Sequence, residues 1–166
     1  MTVELKELPF DTDAGFGSRA RIGLVVLEND QTVEAELASL WPEGVAAFAT
    51  RIPMKDRATA ETLLAMEIRI PEAAGLLPEI MGFDVIGYGC TSAATLIGEE
   101  RVSAALHRAH PEVPNTNPIS AVLAAMEALG ARRIAVVTPY NAEVTTGIVS
   151  LLEDRGLDVA AAGSFL

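Results

Sequence analysis

The chain has 166 residues, half of them hydrophobic, enough for one domain with a sizeable core. Its 23 acidic against 12 basic residues leave a net charge of -11, which repels phosphate backbones, so nucleic acid is not an expected partner. The single cysteine, Cys90, excludes an internal disulfide framework and a cysteine-based zinc cage and suits a reducing cytoplasm.

Residues 1–20 read as a polar tail, because Asp11, Asp13, Gly15 and Gly17 break any period. The opening Met1-Thr2-Val3-Glu4-Leu5-Lys6 lacks the pattern of a signal peptide, and no apolar run approaches membrane-spanning length. Ile22 to Leu27 is an apolar run of buried-strand length. Val33, Leu37, Leu40 and Trp41 then share one helical face, with Asp30 as candidate N-cap. Pro42 and Gly44 end that helix, and Val45 to Ile52 predicts a second strand.

A helix is expected from about Thr59 over Leu63, Leu64 and Met66, and Pro71 opens another that holds Leu76 and Leu77. The run Phe83-Asp84-Val85-Ile86-Gly87-Tyr88 predicts a strand that runs out at Cys90. Thr95 to His107 reads as helix. Asn117-Pro118 is a helix start, followed by the stripe Ile119, Val122, Leu123, Met126 and Leu129 up to Gly130. Ile134 to Thr138 is a strand, Val144 to Leu152 a helix, and Leu157 to Ala162 a last strand. This alternation predicts an α/β fold, a doubly wound parallel sheet built from right-handed βαβ units. The final strand has no helix after it to cover its face, so the chain is expected to be incomplete, and an exposed end strand would invite pairing into a homo-oligomer.

Three loops follow predicted strands at their carboxyl ends: Leu27-Glu28-Asn29-Asp30, Gly89-Cys90-Thr91-Ser92 and Thr138-Pro139-Tyr140-Asn141. In a single parallel sheet all three would emerge on one edge and converge on one cleft. There a thiol, two hydroxyls and free loop amides could attack a substrate and hold its anionic oxygens. The competing reading is that Cys90 is simply a buried small hydrophobe, as most free cysteines are. Gly87-Tyr88-Gly89-Cys90-Thr91-Ser92 matches a dinucleotide fingerprint only in part, with serine for its third glycine, and no cofactor is expected. His107 and His110 have no carboxylate or cysteine motif beside them, so they read as surface or capping residues and no metal is expected.

These segments carry a resemblance. Arg21-Ile22-Gly23-Leu24-Val25-Val26, Gly87 to Ser92, Thr116-Asn117-Pro118 and Gly130 to Tyr140 together resemble the aspartate/glutamate racemase superfamily, within it the maleate cis-trans isomerases and arylmalonate decarboxylases. The resemblance spans nearly everything from Arg21 onward. It implies two similar α/β lobes with one reactive position each: a first lobe over 21–130 with the Cys90 loop, and the start of a second, incomplete over 131–166. Cys90 matches the first-lobe position, where racemases move an α-proton and maleate isomerases add a thiolate to an alkene. Decarboxylases carry glycine there, so Cys90 argues against that activity. Tyr140, Thr91 and Ser92 match groups that hold a substrate carboxylate, and Asn29 or Asp30 falls where maleate isomerases have an asparagine.

What the resemblance implies is a cofactor-independent isomerase or racemase acting on a small carboxylate. The alternatives are an arylmalonate-type decarboxylase and a catalytically silent ligand-binding module. Leu27 to Thr32, Thr91-Ser92 and Gly98 to Val102 look most like a branch linked to ectoine breakdown. That fits a substrate bearing nitrogen, since Glu28 and Asp30 would each repel an anion at about 4 Å by about 4 kcal/mol at an effective dielectric of about 20. The partner thiol of a two-cysteine mechanism falls beyond Leu166 in the family pattern, so this chain alone is expected to be inactive or weakly active.

Overall fold

The computed structural model describes residues 3–55 and 58–165. Residues 3–15 form neither helix nor strand and are exposed. The apolar runs then become a parallel sheet of four strands: β1 (Ala20–Leu27), β2 (Val45–Ile52), β3 (Val85–Tyr88) and β4 (Asn115–Thr116), in the order β2-β1-β3-β4. Strand β1 pairs with β2 along its whole length and with β3 from Ile22↔Val85 to Val25↔Tyr88. Val25, Val26, Ile52, Ile86 and Tyr88 are all nearly or fully buried. Burying side chains of this size stabilises by about 1.5–3 kcal/mol each.

Among the described residues, seven α-helices connect the strands: α1 (Val33–Ala38), α2 (Ala60–Leu64), α3 (Ile70–Ala74), α4 (Thr91–Ile97), α5 (Glu99–His107), α6 (Pro118–Leu129) and α7 (Ala142–Asp154). Ile70, Ala73 and Ala74 of α3, Ala93, Ala94 and Ile97 of α4, and Val102, Ala105 and Leu106 of α5 form the core with the sheet. Gly23 of β1 is closely packed by Leu77 and Ile86. A methyl there would stand 2.8 Å from Leu77 Cδ1 and 3.0 Å from Ile86 Cγ1. Gly23→Ala is therefore expected to destabilise the fold by about 1–3 kcal/mol, the usual cost of overpacking. An unchanged urea midpoint would contradict this close contact.

Several expectations change, among them the helix opened near Pro71, which ends at Ala74 short of Leu76 and Leu77. The helix over Val33 to Trp41 stops at Ala38, because Ser39 donates both its amide and its hydroxyl to Glu36 O, and this leaves Leu40 72% exposed. The helix expected from Thr95 instead begins at Thr91, directly behind Cys90, and breaks at Gly98, whose φ of 93° suits glycine. His110 is buried rather than on the surface; its Nε2 lies 3.0 Å from Ala74 O and its ring packs edge-on to Phe83.

Strands β5 (Arg133–Thr138) and β6 (Asp158–Ser164) form a separate parallel sheet of two. The three loops thus do not leave one sheet edge as the sequence suggests. Strand β4 is only two residues long, and Asn117 and Pro118 turn the chain straight into α6, so the first sheet offers little further ladder. The loop after β5 is brought back to the first sheet by α7, which packs against α4. The stripe expected along α6 buries only Ile119, with Leu129 left 76% exposed.

Candidate active site

Strand β3 delivers Cys90 to the carboxyl edge of the first sheet. The amide of Gly89 still donates to Val25 O at 2.8 Å, so the ladder holds the chain up to the residue before the thiol. Cys90 then takes the N-cap position of α4 and is 3% exposed. Its sulfur lies 3.7 Å from Ser92 Oγ and is within reach of the amides of Ala93 and Ser92 and of the Tyr88 hydroxyl. Burial pushes the Cys90 thiol up, and these four donors pull the other way without overcoming it. The resting group is thus a thiol near neutral pH. Any thiolate formed there has donors already aimed at it.

Tyr140 comes from the other sheet. Asn141 caps α7 through Oδ1, which accepts from Val144 N at 3.0 Å, and the hydroxyls of Thr138 and Thr145 meet at 2.6 Å behind the turn. This fixes the half-buried Tyr140 so that its phenol comes within reach of the Ser92 and Thr91 side chains and senses the charge of Cys90. Burial and that charge raise its pKa, so it remains a donor across the neutral range. Cys90, Thr91, Ser92 and Tyr140 therefore form one cluster. Beside it lies an apolar cleft of about 400 Å³ that begins at Thr91 and Tyr140 and continues along Ile119, Met126 and β5.

Asn29 and Asp30 occupy the neighbouring loop after β1, and no hydrogen bond joins either to the cluster. The Asp30 carboxylate is engaged locally: Oδ1 accepts from Thr32 N and Val33 N, each at 2.9 Å. Arg51, at the end of β2, donates to Leu27 O at 2.9 Å and Asp30 O at 3.1 Å and pairs with Glu34. The loop is thereby braced by a cation, while Asn29 and Glu28 are left exposed. On the far side, Asn117 caps α6 by accepting from Ile119 N and Ser120 N, and Ser120 donates to Glu99 at 2.6 Å. Among the described residues, no group of three or more histidine, cysteine, aspartate or glutamate side chains could hold a metal ion.

The sequence reading missed Tyr88 and Met66. Tyr88 is the largest of the fully buried side chains, and its hydroxyl donates to Met66 Sδ at 3.9 Å. The signal was available in the period of two along β3, which puts Tyr88 and Cys90 on one face.

With this geometry, comparison with known proteins becomes specific. A family model described as arylmalonate decarboxylase matches residues 22–165. The chain belongs to the arylmalonate decarboxylase family. A maleate isomerase of Pseudomonas putida is 28% identical over 153 residues, which cover 84% of this chain and 60% of that protein. The crystal structure of a P. putida maleate isomerase with maleate superposes with a TM-score of 0.76 at 28% identity, over 87% of this chain and 63% of the other. A mutant of the Nocardia farcinica maleate cis-trans isomerase, with a covalently bound succinylcysteine intermediate, gives a TM-score of 0.75 over the same shares of the two chains. The chain thus spans about 60% of the length of the curated relative it matches. Its α/β fold is that of the maleate isomerases and arylmalonate decarboxylases, as its motifs implied.

Proposed function

We propose that this chain carries the thiol-bearing part of a cofactor-independent isomerase that acts on a small carboxylate of the maleate type. The single observation behind this reading is the cluster itself: a buried cysteine ringed by amide and hydroxyl donors, facing a tyrosine presented from a second sheet. The isomerases among its relatives and the succinylcysteine found in one of them support the same chemistry. Residues 21–130 would be the first lobe and 131–166 the start of a second, a division favoured by the separate β5-β6 sheet after Gly130.

In the proposed reaction Cys90 first loses its proton to solvent. The sulfur pair then forms a bond to one alkene carbon, and the π pair moves onto the neighbouring carbon and its carboxylate. The former double bond is now single and rotates; return of the electron pair restores the alkene in the trans form and expels the thiolate. Tyr140, Thr91 and Ser92 donate to the carboxylate oxygens that gain charge, and Asn29 approaches from the β1 loop. An isomerase is favoured over a decarboxylase by the thiol at position 90.

The carboxylate of Asp30 is held by backbone amides, which relieves part of its repulsion of an anion. Exposed Glu28 is the remaining feature that suits the nitrogen-bearing substrate of an ectoine-linked branch. Incubation with maleate, read by mass spectrometry, is expected to add one maleate to Cys90. Protection from that adduct by ectoine or its amino-acid products, at concentrations where succinate does not protect, would move the assignment to the nitrogen-bearing substrate.

A further inference from the structure

The core side of the thiol holds a group that the proposed chemistry does not use. Tyr88 is 1% exposed, and its hydroxyl is turned to Met66 in the core. A buried phenol needs an acceptor, since a hydroxyl left unpaired costs about 1–3 kcal/mol. The Tyr88 hydroxyl donates to Met66 Sδ at 3.9 Å, and the Cys90 sulfur is the second sulfur close enough to affect its ionisation. Its ring is fixed by the β1-β3 pairing, with Tyr88 in register with Val25, and Cys90 follows two residues later on the same face.

We propose that Tyr88 is a positioning residue for Cys90: its hydroxyl, locked in the core on β3, holds the sulfur of the residue two places on along the same strand face. This rests on the reading of Cys90 as the reacting thiol. Burial, reinforced by the charge of Cys90 and the hydrogen bond to it, keeps Tyr88 protonated, so it stays a donor wherever Cys90 ionises. Among the described residues the titratable groups facing the sulfur are Tyr88 of β3 and Tyr140 of the loop between β5 and α7. Tyr140 is half-buried and on the cleft side, where a substrate competes for its hydroxyl. Tyr88 has no such competitor, only the thioether of Met66, a weak acceptor.

Alkylation by iodoacetamide across pH, followed by mass spectrometry, tests this on the chain as it stands, because Cys90 is its only cysteine. Tyr88→Phe keeps the ring and deletes the donor. The expected result is a titration midpoint about one pH unit higher than in the parent. Below that midpoint alkylation slows by about threefold rather than tenfold, since a thiolate of higher pKa is more nucleophilic. Met66→Leu removes the competing acceptor and should leave the midpoint unchanged or slightly lower. An unmoved or lower midpoint in Tyr88→Phe overturns the proposal, and so does an equal upward shift in both variants, which would mark loose packing. No substrate enters this assay, so failure of the isomerase reading with maleate is read separately.

Discussion

Replacing Cys90 by alanine is expected to bring any turnover by this chain down to background while leaving the fold intact. The two readings of this residue separate cleanly here. Cys90 is nearly as buried as any core side chain, and removing a buried sulfur costs up to about 2 kcal/mol. If it were only a small hydrophobe, the variant would lose stability and keep its activity per folded molecule. The donors around it favour the other outcome, because amides of Ser92 and Ala93 and hydroxyls of Ser92 and Tyr88 are groups that a thiolate needs and a packing sulfur does not. The same burial sets the sign of the pH dependence. Since the thiol pKa is raised, the thiolate fraction grows with pH through the ordinary thiol range near 8.5 and beyond, and activity should climb with it. Rate measurements on the parent and Cys90→Ala, with urea unfolding alongside, check both statements.

Tyr140→Phe is expected to slow addition of maleate to Cys90 by about a hundredfold, the usual loss for one donor aimed at developing charge. Tyr140 is the one member of the cluster supplied by the second sheet, and Thr138, Thr145 and Asn141 hold its turn against α7. Burial and the neighbouring Cys90 charge keep its hydroxyl protonated above the ordinary tyrosine range, near 10. Its own ionisation should thus add no alkaline limb below pH 10, and the variant should lose rate without changing the shape of the profile there. A variant with full activity would remove Tyr140 from the reaction. A profile whose alkaline limb vanishes with the hydroxyl would contradict the raised pKa.

Much of this was legible in the residues. The runs at Ile22 to Leu27, Val45 to Ile52 and Val85 to Tyr88 are apolar enough to predict buried parallel strands, and Asn117-Pro118 and Gly130 bracket α6 as their chemistry requires. The cysteine loop could be placed because it follows one of those runs. Long-range register was not legible. Nothing local to Ile134 says that β5 pairs only with β6, and the convergence of Tyr140 on Cys90 depends on how α7 lies against α4. Asp30 was read both as a helix cap and as a substrate-facing group, and its bonds to the amides at the start of α1 are the part that local sequence could show. Whether a carboxylate faces a cleft or its own backbone depends on a turn geometry that two amides and Arg51 decide together. Tyr88 was hidden in plain sight, counted as one more apolar residue of a strand although its hydroxyl had to find a partner.

Covalent capture shows whether the Cys90 sulfur is the atom that reacts. The chain is incubated with maleate near pH 8, quenched in acid, digested and analysed by mass spectrometry. One added maleate is expected, located on the peptide that holds Cys90, forming faster as pH rises and absent from Cys90→Ala. An unmodified Cys90 under conditions where iodoacetamide does alkylate it, or an adduct on any other residue, would contradict it.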